Sequence, residues 1–323
     1  MEKKAFWGGV ITGVLLTVIT LQSSLIPSEH IAAAPAISLP STDLIAPAAS
    51  TAHVEATHTP APASASASLV NMSDVMPADY DLGVHFGDTV IKMVQRGIID
   101  KEKFIQVFAG RKALTKPQLQ LLDTPSTASI VLNQENAGVL LNIFWPLGIS
   151  NKSEVLSRGP LGTSFKDKAG NMASTGGWTL AKGDGAQYLN SISLVPLTAE
   201  QALEAADIAK HIYRPCCNNE TYFPDCNHGA AMLGYIELAV AQGLPTAKVY
   251  KNALVLNAYW FQQNYTALAT YMKAKHQLDW KDVNPEVALS ATYSSGQGSG
   301  AVVAELQADG LLPKAKDSGG CGA

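Results

Sequence analysis

Several things are scarce in this chain of 323 residues. From Ala5 to Ile91 there is no lysine and no arginine. Positive residues beside a membrane stay on the cytoplasmic side, so this gap excludes a cytoplasmic anchor for the stretch after the N-terminus. Charged residues make up 15% of the chain, against a typical ~25%. The 23 lysines and arginines are scattered and the net charge is −4. No basic stripe results, which removes the electrostatic reason to expect a nucleic-acid partner.

Catalytic signatures are missing as well. There is no G-x-S-x-G and no H-E-x-x-H, so neither a nucleophile elbow nor a helix-borne zinc pair is indicated. The run Gly296-Gln297-Gly298-Ser299-Gly300 has no lysine and no preceding strand pattern, which excludes a phosphate loop. Cysteine is limited to Cys216, Cys217, Cys226 and Cys321, with no C-x-x-C pair.

What is present begins with residues 5–21, AFWGGVITGVLLTVITL, an uncharged run behind Lys3 and Lys4. A membrane-spanning helix needs ~17–25 such residues, and the run is long for a cleaved signal segment. Residues 1–21 are therefore read as a membrane anchor or signal segment, with the membrane as a partner and all that follows on the extracytoplasmic side. Residues 22–72 are rich in Ala, Pro, Ser and Thr. Such a composition buries too little apolar surface to offset chain entropy and is expected to be a disordered tether. Residues 73–312 are expected to form one α-rich globular domain, and 313–323 a flexible tail carrying Cys321.

Within that domain the expected fold class is mainly α, with a minor β or irregular section. Asp88, Asp100 and Thr115 read as helix caps, with Gly97 and Gly110 as stops. Residues 128–133 read as a short strand. Residues 136–148 read as a buried helix ended by Pro146 and Gly148. The Gly-, Ser- and Lys-rich stretch 149–195 shows no helical period and is expected to be a long loop with a short hairpin at most. Its segment Ser174-Thr175-Gly176-Gly177-Trp178 reads as a tight turn. Thr198 and Gln201 form a capping box for the next helix, which Pro215 ends. Asp225 reads as the N-cap of a long apolar helix from Cys226 to Gln242. Helices follow near 247–262 and 266–276, and the Tyr259-Trp260-Phe261 run is expected in the core. A short helix starts at Asn284-Pro285, and the last starts at Ser299 or Gly300.

The chemistry concentrates in Arg214-Pro215-Cys216-Cys217-Asn218-Asn219-Glu220-Thr221-Tyr222-Phe223-Pro224-Asp225-Cys226-Asn227-His228. Three of the four cysteines and one of the seven histidines fall within it. With Asp225 as cap, Cys226 and His228 sit in the first helical turn, and Met232 lies four residues past His228 on the same face. Thiolate, imidazole and thioether together suit copper, while thiolate and imidazole alone suit zinc. The run Cys226-Asn227-His228 with Met232 resembles the Cys…Asn-His…Met run of the copper-binding loop in cytochrome oxidase subunit II. The resemblance covers these residues only. The Cys-x3-Cys pair of that loop is missing, and a helix rather than a cupredoxin strand is expected next. It therefore implies a copper ion without that fold.

Two other readings of the same residues stay open. Cys226, at a helix N-terminus that favours thiolate, can act as the nucleophile of a thiol–disulfide oxidoreductase, with Cys321 as resolving thiol. Alternatively, plain disulfides staple a non-catalytic binding or scaffold module. The leading expectation is a membrane-tethered protein binding copper or zinc through Cys216, Cys217, Cys226 and His228, with Met232 as a soft axial ligand.

Overall fold

The computed structural model describes residues 70–110 and 112–313. The expected N-terminal hydrophobic helix, the tether up to residue 69, and the tail from residue 314 lie outside the described residues. Among the described residues, no helix is long and apolar enough to cross a membrane.

The described chain is mainly helical. Its helices are α1 (Met72–Val75), α2 (Thr89–Gln95), α3 (Lys101–Ala109), α4 (Lys116–Leu121), α5 (Ala137–Ser150), α6 (Glu154–Arg158), α7 (Ala199–His211), α8 (Asn227–Ala241), α9 (Thr246–Trp260), α10 (Gln262–His276), α11 (Pro285–Ala288), α12 (Ala291–Ser294) and α13 (Gly296–Ala308). Strands β1 (Tyr80–Asp81) and β2 (Val131–Leu132) pair antiparallel, Tyr80 opposite Leu132.

Capping chemistry accounts for many of these boundaries. Asp100 accepts from the Lys103 N–H, and Thr198 and Gln201 exchange hydrogen bonds at the start of α7. Each satisfies donors that a helix start leaves orphaned. Gly97 ends α2 with φ +77°, a left-handed conformation suited to glycine. Asp88 instead spends its carboxylate on Lys92, 2.8 Å away.

α8 is the central element, with every residue from Gly229 to Val240 buried. It packs against α5, α7 and α9. Its crossing with α5 is a backbone contact. A Cβ on Gly148 would stand 1.8 Å from the Ala230 carbonyl oxygen, and one on Gly234 would stand 2.3 Å from the Phe144 carbonyl oxygen. That close approach explains a departure from expectation. α5 does not stop at Pro146 but runs through it to Ser150. Proline removes one ladder hydrogen bond, yet burying Leu147 and Ile149 and docking Gly148 on α8 outweighs the loss.

Two other expectations are corrected. The stretch 149–195 holds no hairpin. Ser153 caps α6 by accepting from the Leu156 N–H, and 3-10 turns follow at Pro160–Gly162, Lys166–Asn171 and Gly185–Tyr188. The stretch is tied inward by Trp178, whose indole N–H donates to the Ile98 carbonyl oxygen at 2.7 Å. The last helix begins at Gly296, not Ser299 or Gly300, because Ser295 caps it by accepting from the Gly298 N–H. Gly298 lies so close to the Ala291 and Thr292 carbonyl oxygens that a Cβ would reach 2.3 and 2.4 Å from them. Backbone approach, not flexibility, is what these glycines serve.

Candidate metal centre

The loop between α7 and α8 is closed by its own backbone. Tyr213 and Glu220 form an antiparallel bridge, and the Thr221 N–H donates to the Ile212 carbonyl oxygen at 2.8 Å. The loop is also clipped to α13. The Gly296 N–H donates to the Cys217 carbonyl oxygen at 2.7 Å, and the Gln297 N–H donates to Asn218 Oδ1 at 2.8 Å. From the other side, the Ser174 N–H donates to the Asp225 carbonyl oxygen at 3.0 Å.

Arg214 organises the interior of this loop. Its side chain is 1% exposed. Its guanidinium donates to the Asn219 carbonyl oxygen at 2.7 Å, the Phe223 carbonyl oxygen at 3.1 Å, Asp225 Oδ1 at 2.5 Å and Cys226 Sγ at 3.1 Å. A buried cation is tolerable only when so fully paired. Asn219 Nδ2 donates to the second Asp225 oxygen at 2.9 Å. Gly229 makes room for the guanidinium, since a Cβ there would lie 2.6 Å from Arg214 Cζ.

This arrangement shifts the start of α8. Asp225 was expected as the cap, but its carboxylate is committed to Arg214 and Asn219. Cys226 is the N-cap instead, and its sulfur accepts from the Gly229 N–H at 3.4 Å. Hydrogen bonds from the Cys216 and Cys217 thiols, then the Arg214 charge, hold the Cys226 thiol well below the ordinary thiol range. Hydrogen bonding with Cys217, then with Cys226, and burial push the Cys216 thiol upward.

The sulfurs of Cys216, Cys217 and Cys226 all lie within 4.8 Å of one another, close enough to bind a metal ion. Cys216 and Cys226 are 3.5 Å apart. These three thiols are free, and no disulfide joins them. Cys217 Sγ is 3.9 Å from the Asn219 carbonyl oxygen and 4.0 Å from Asp225 Oδ1. An ion ~2.3 Å from three coplanar sulfurs would set them ~4 Å apart, a spacing the cluster can take up with small side-chain adjustments.

His228 and Met232 sit in aromatic and core packing along α8. The His228 ring packs on Phe261 at 4.4 Å and Trp260 at 6.1 Å between centroids. Its Nδ1 is buried without a hydrogen-bond partner, and burial lowers its pKa to about 4. Met232 is 1% exposed within the core. The group of mutually close ligand atoms does not include His228. Cys321 lies outside the described residues. Arg214 and Gly229 are the site residues that sequence reasoning passed over. An arginine directly before Pro-Cys-Cys with an aspartate before the next cysteine was the available signal.

Comparison with known proteins finds no matching family model, no matching curated protein and no matching solved structure.

Proposed function

We propose that this chain is a membrane-tethered, extracytoplasmic protein that binds a soft transition-metal ion, copper or zinc, through Cys216, Cys217 and Cys226. The observation that carries the reading is the convergence of three thiol sulfurs within 4.8 Å around a buried arginine. Soft thiolates select copper(I) and zinc among biological cations. Structural zinc takes four ligands, whereas the cluster supplies three, so copper(I) is the better match. Arg214 offsets part of the thiolate charge at no cost in coordination. In this reading His228 and Met232 remain in the hydrophobic packing behind the site. Tethering and an extracytoplasmic site are supported by the apolar run 5–21 and by the lack of positive charge from Ala5 to Ile91.

The test is elemental analysis of the full chain, purified without a histidine tag under reducing, anaerobic conditions. The expected result is one copper per chain, abolished by Cys226→Ser. Metal-free protein with its thiols locked in disulfides would sink the proposal.

A further inference from the structure

The three thiols are not equivalent. Cys226 is fixed, its sulfur accepting from the Gly229 N–H and from Arg214 Nε. Cys217 lies toward the Asn219 carbonyl oxygen and the Asp225 carboxylate. Cys216 is the exposed member, 3.5 Å from Cys226. A disulfide needs sulfurs ~2.05 Å apart, so closure asks for ~1.5 Å of movement. Neighbouring residues are the wrong partners. Adjacent Cα atoms stand ~3.8 Å apart, below the ~4.4–6.8 Å usual for a disulfide. Cys216 and Cys217 therefore do not close on each other easily, whereas Cys216 and Cys226 face each other across the loop.

We propose that the thiol site is redox-gated: oxidation joins Cys216 to Cys226 as a disulfide, expels the metal ion and leaves Cys217 a free thiol. This rests on the metal-binding reading above. The oxidant is a small disulfide, RS–SR. The metal–sulfur bond to Cys216 breaks, and the Cys216 thiolate attacks one sulfur of RS–SR, expelling RS⁻. The Cys226 thiolate then attacks the Cys216 sulfur of the mixed disulfide, forming the protein disulfide and expelling a second RS⁻. The two cysteine sulfurs lose one electron each, and RS–SR gains both. The metal leaves with its oxidation state unchanged, because one remaining thiolate cannot hold it. Arg214 keeps the Asn219 and Phe223 carbonyl oxygens and Asp225 as partners. The frame therefore survives loss of the thiolate, and a dithiol can reopen the site.

The experiment loads the reduced full chain with copper(I) anaerobically in detergent and adds oxidised glutathione beside a chromogenic copper(I) chelator. Copper release should run in step with a Cys216–Cys226 bridge on peptide mapping, with Cys217 recovered alkylated. Dithiothreitol should restore binding, and the chelator alone should release copper far more slowly. Cys217→Ser should still form the bridge, while in Cys216→Ser the glutathione-driven loss of the Cys226 free thiol should slow about tenfold or more. Copper retained while the bridge forms, a bridge mapped to Cys217, or wild-type oxidation of Cys226 in Cys216→Ser would each overturn the gate. Reduced protein that takes up no copper would instead overturn the metal reading, and the gate with it.

Discussion

At its N-terminal end α8 meets a cation, a carboxylate and three thiols; further along the same helix, Glu237 meets the core with little company. Arg214 is surrounded by carbonyl oxygens, Asp225 and Cys226. Glu237 is fully buried and receives one hydrogen bond, from Asn151 Nδ2 at 2.8 Å. Its other oxygen has no aligned partner. Burial, opposed in part by Asn151 and Ser153, raises its pKa to about 7. Asn151 in turn accepts from the Leu194 and Val195 N–H groups, pinning the irregular stretch to the helix. The difference teaches how burial is tolerated. Where partners are plentiful, charge is kept inside; where they are few, the group keeps its proton.

The largest expected effect comes from breaking the well-partnered end. Arg214→Met leaves the Asp225 carboxylate with Asn219 as its one remaining strong donor, takes a hydrogen bond from the Asn219 and Phe223 carbonyl oxygens, and should cost ~3–5 kcal/mol, read as a lower urea midpoint. Adding Asp225→Asn should recover part of that loss.

The sparsely partnered end should behave in the opposite way. Folded Glu237 holds its proton up to about pH 7, whereas an unfolded glutamate releases it near 4.5. Its contribution is fully present below pH 4.5 and is lost as pH rises to about 7. Glu237→Gln should therefore gain roughly 3 kcal/mol over wild type above pH 7, with the difference vanishing below pH 4.5. Paired urea titrations across that range would measure it.

His228 carries the reverse sign. The unfolded imidazole takes a proton near pH 6.5, while the buried ring resists until about 4. Wild type should lose ~3 kcal/mol through this group as pH falls across that window. His228→Phe, measured on metal-free protein, should remove the loss. Between pH 4.5 and 6.5 the Glu237 and His228 effects oppose each other, so each variant should expose the slope that its partner conceals.

The smallest effect separates stability from chemistry. Serine is a good helix N-cap, so Cys226→Ser should change stability by no more than ~0.5 kcal/mol while abolishing copper binding. A larger destabilisation would mean that the thiol cluster holds the loop together rather than serving a ligand.

Much of this architecture was legible in the sequence where local chemistry decides it. The Asp100 cap, the Thr198–Gln201 box and the Gly97 stop depend on neighbours a few residues away. Pro146 misled because its meaning lies in the distant backbone of α8, whereas the start of the last helix was missed because its cap is Ser295 rather than Ser299 or Gly300. The cysteine cluster was visible as a cluster, since three thiols so close in sequence cannot stray far apart. Its frame was off by one residue because nothing in the spacing shows Asp225 engaged by Arg214. Helical spacing put His228 and Met232 on a common face, but it does not say whether that face looks toward the thiols or into the aromatic core.

The fit of Gly229 under the Arg214 guanidinium has a consequence for descent. Any side chain at 229 would displace the arginine, whose guanidinium supplies the three atoms nearest to where a Cβ would stand. The two positions should therefore be inherited as a unit. A diverged relative that keeps its cysteines but carries alanine at the glycine position should also have replaced the arginine, and should have surrendered this way of holding a thiolate.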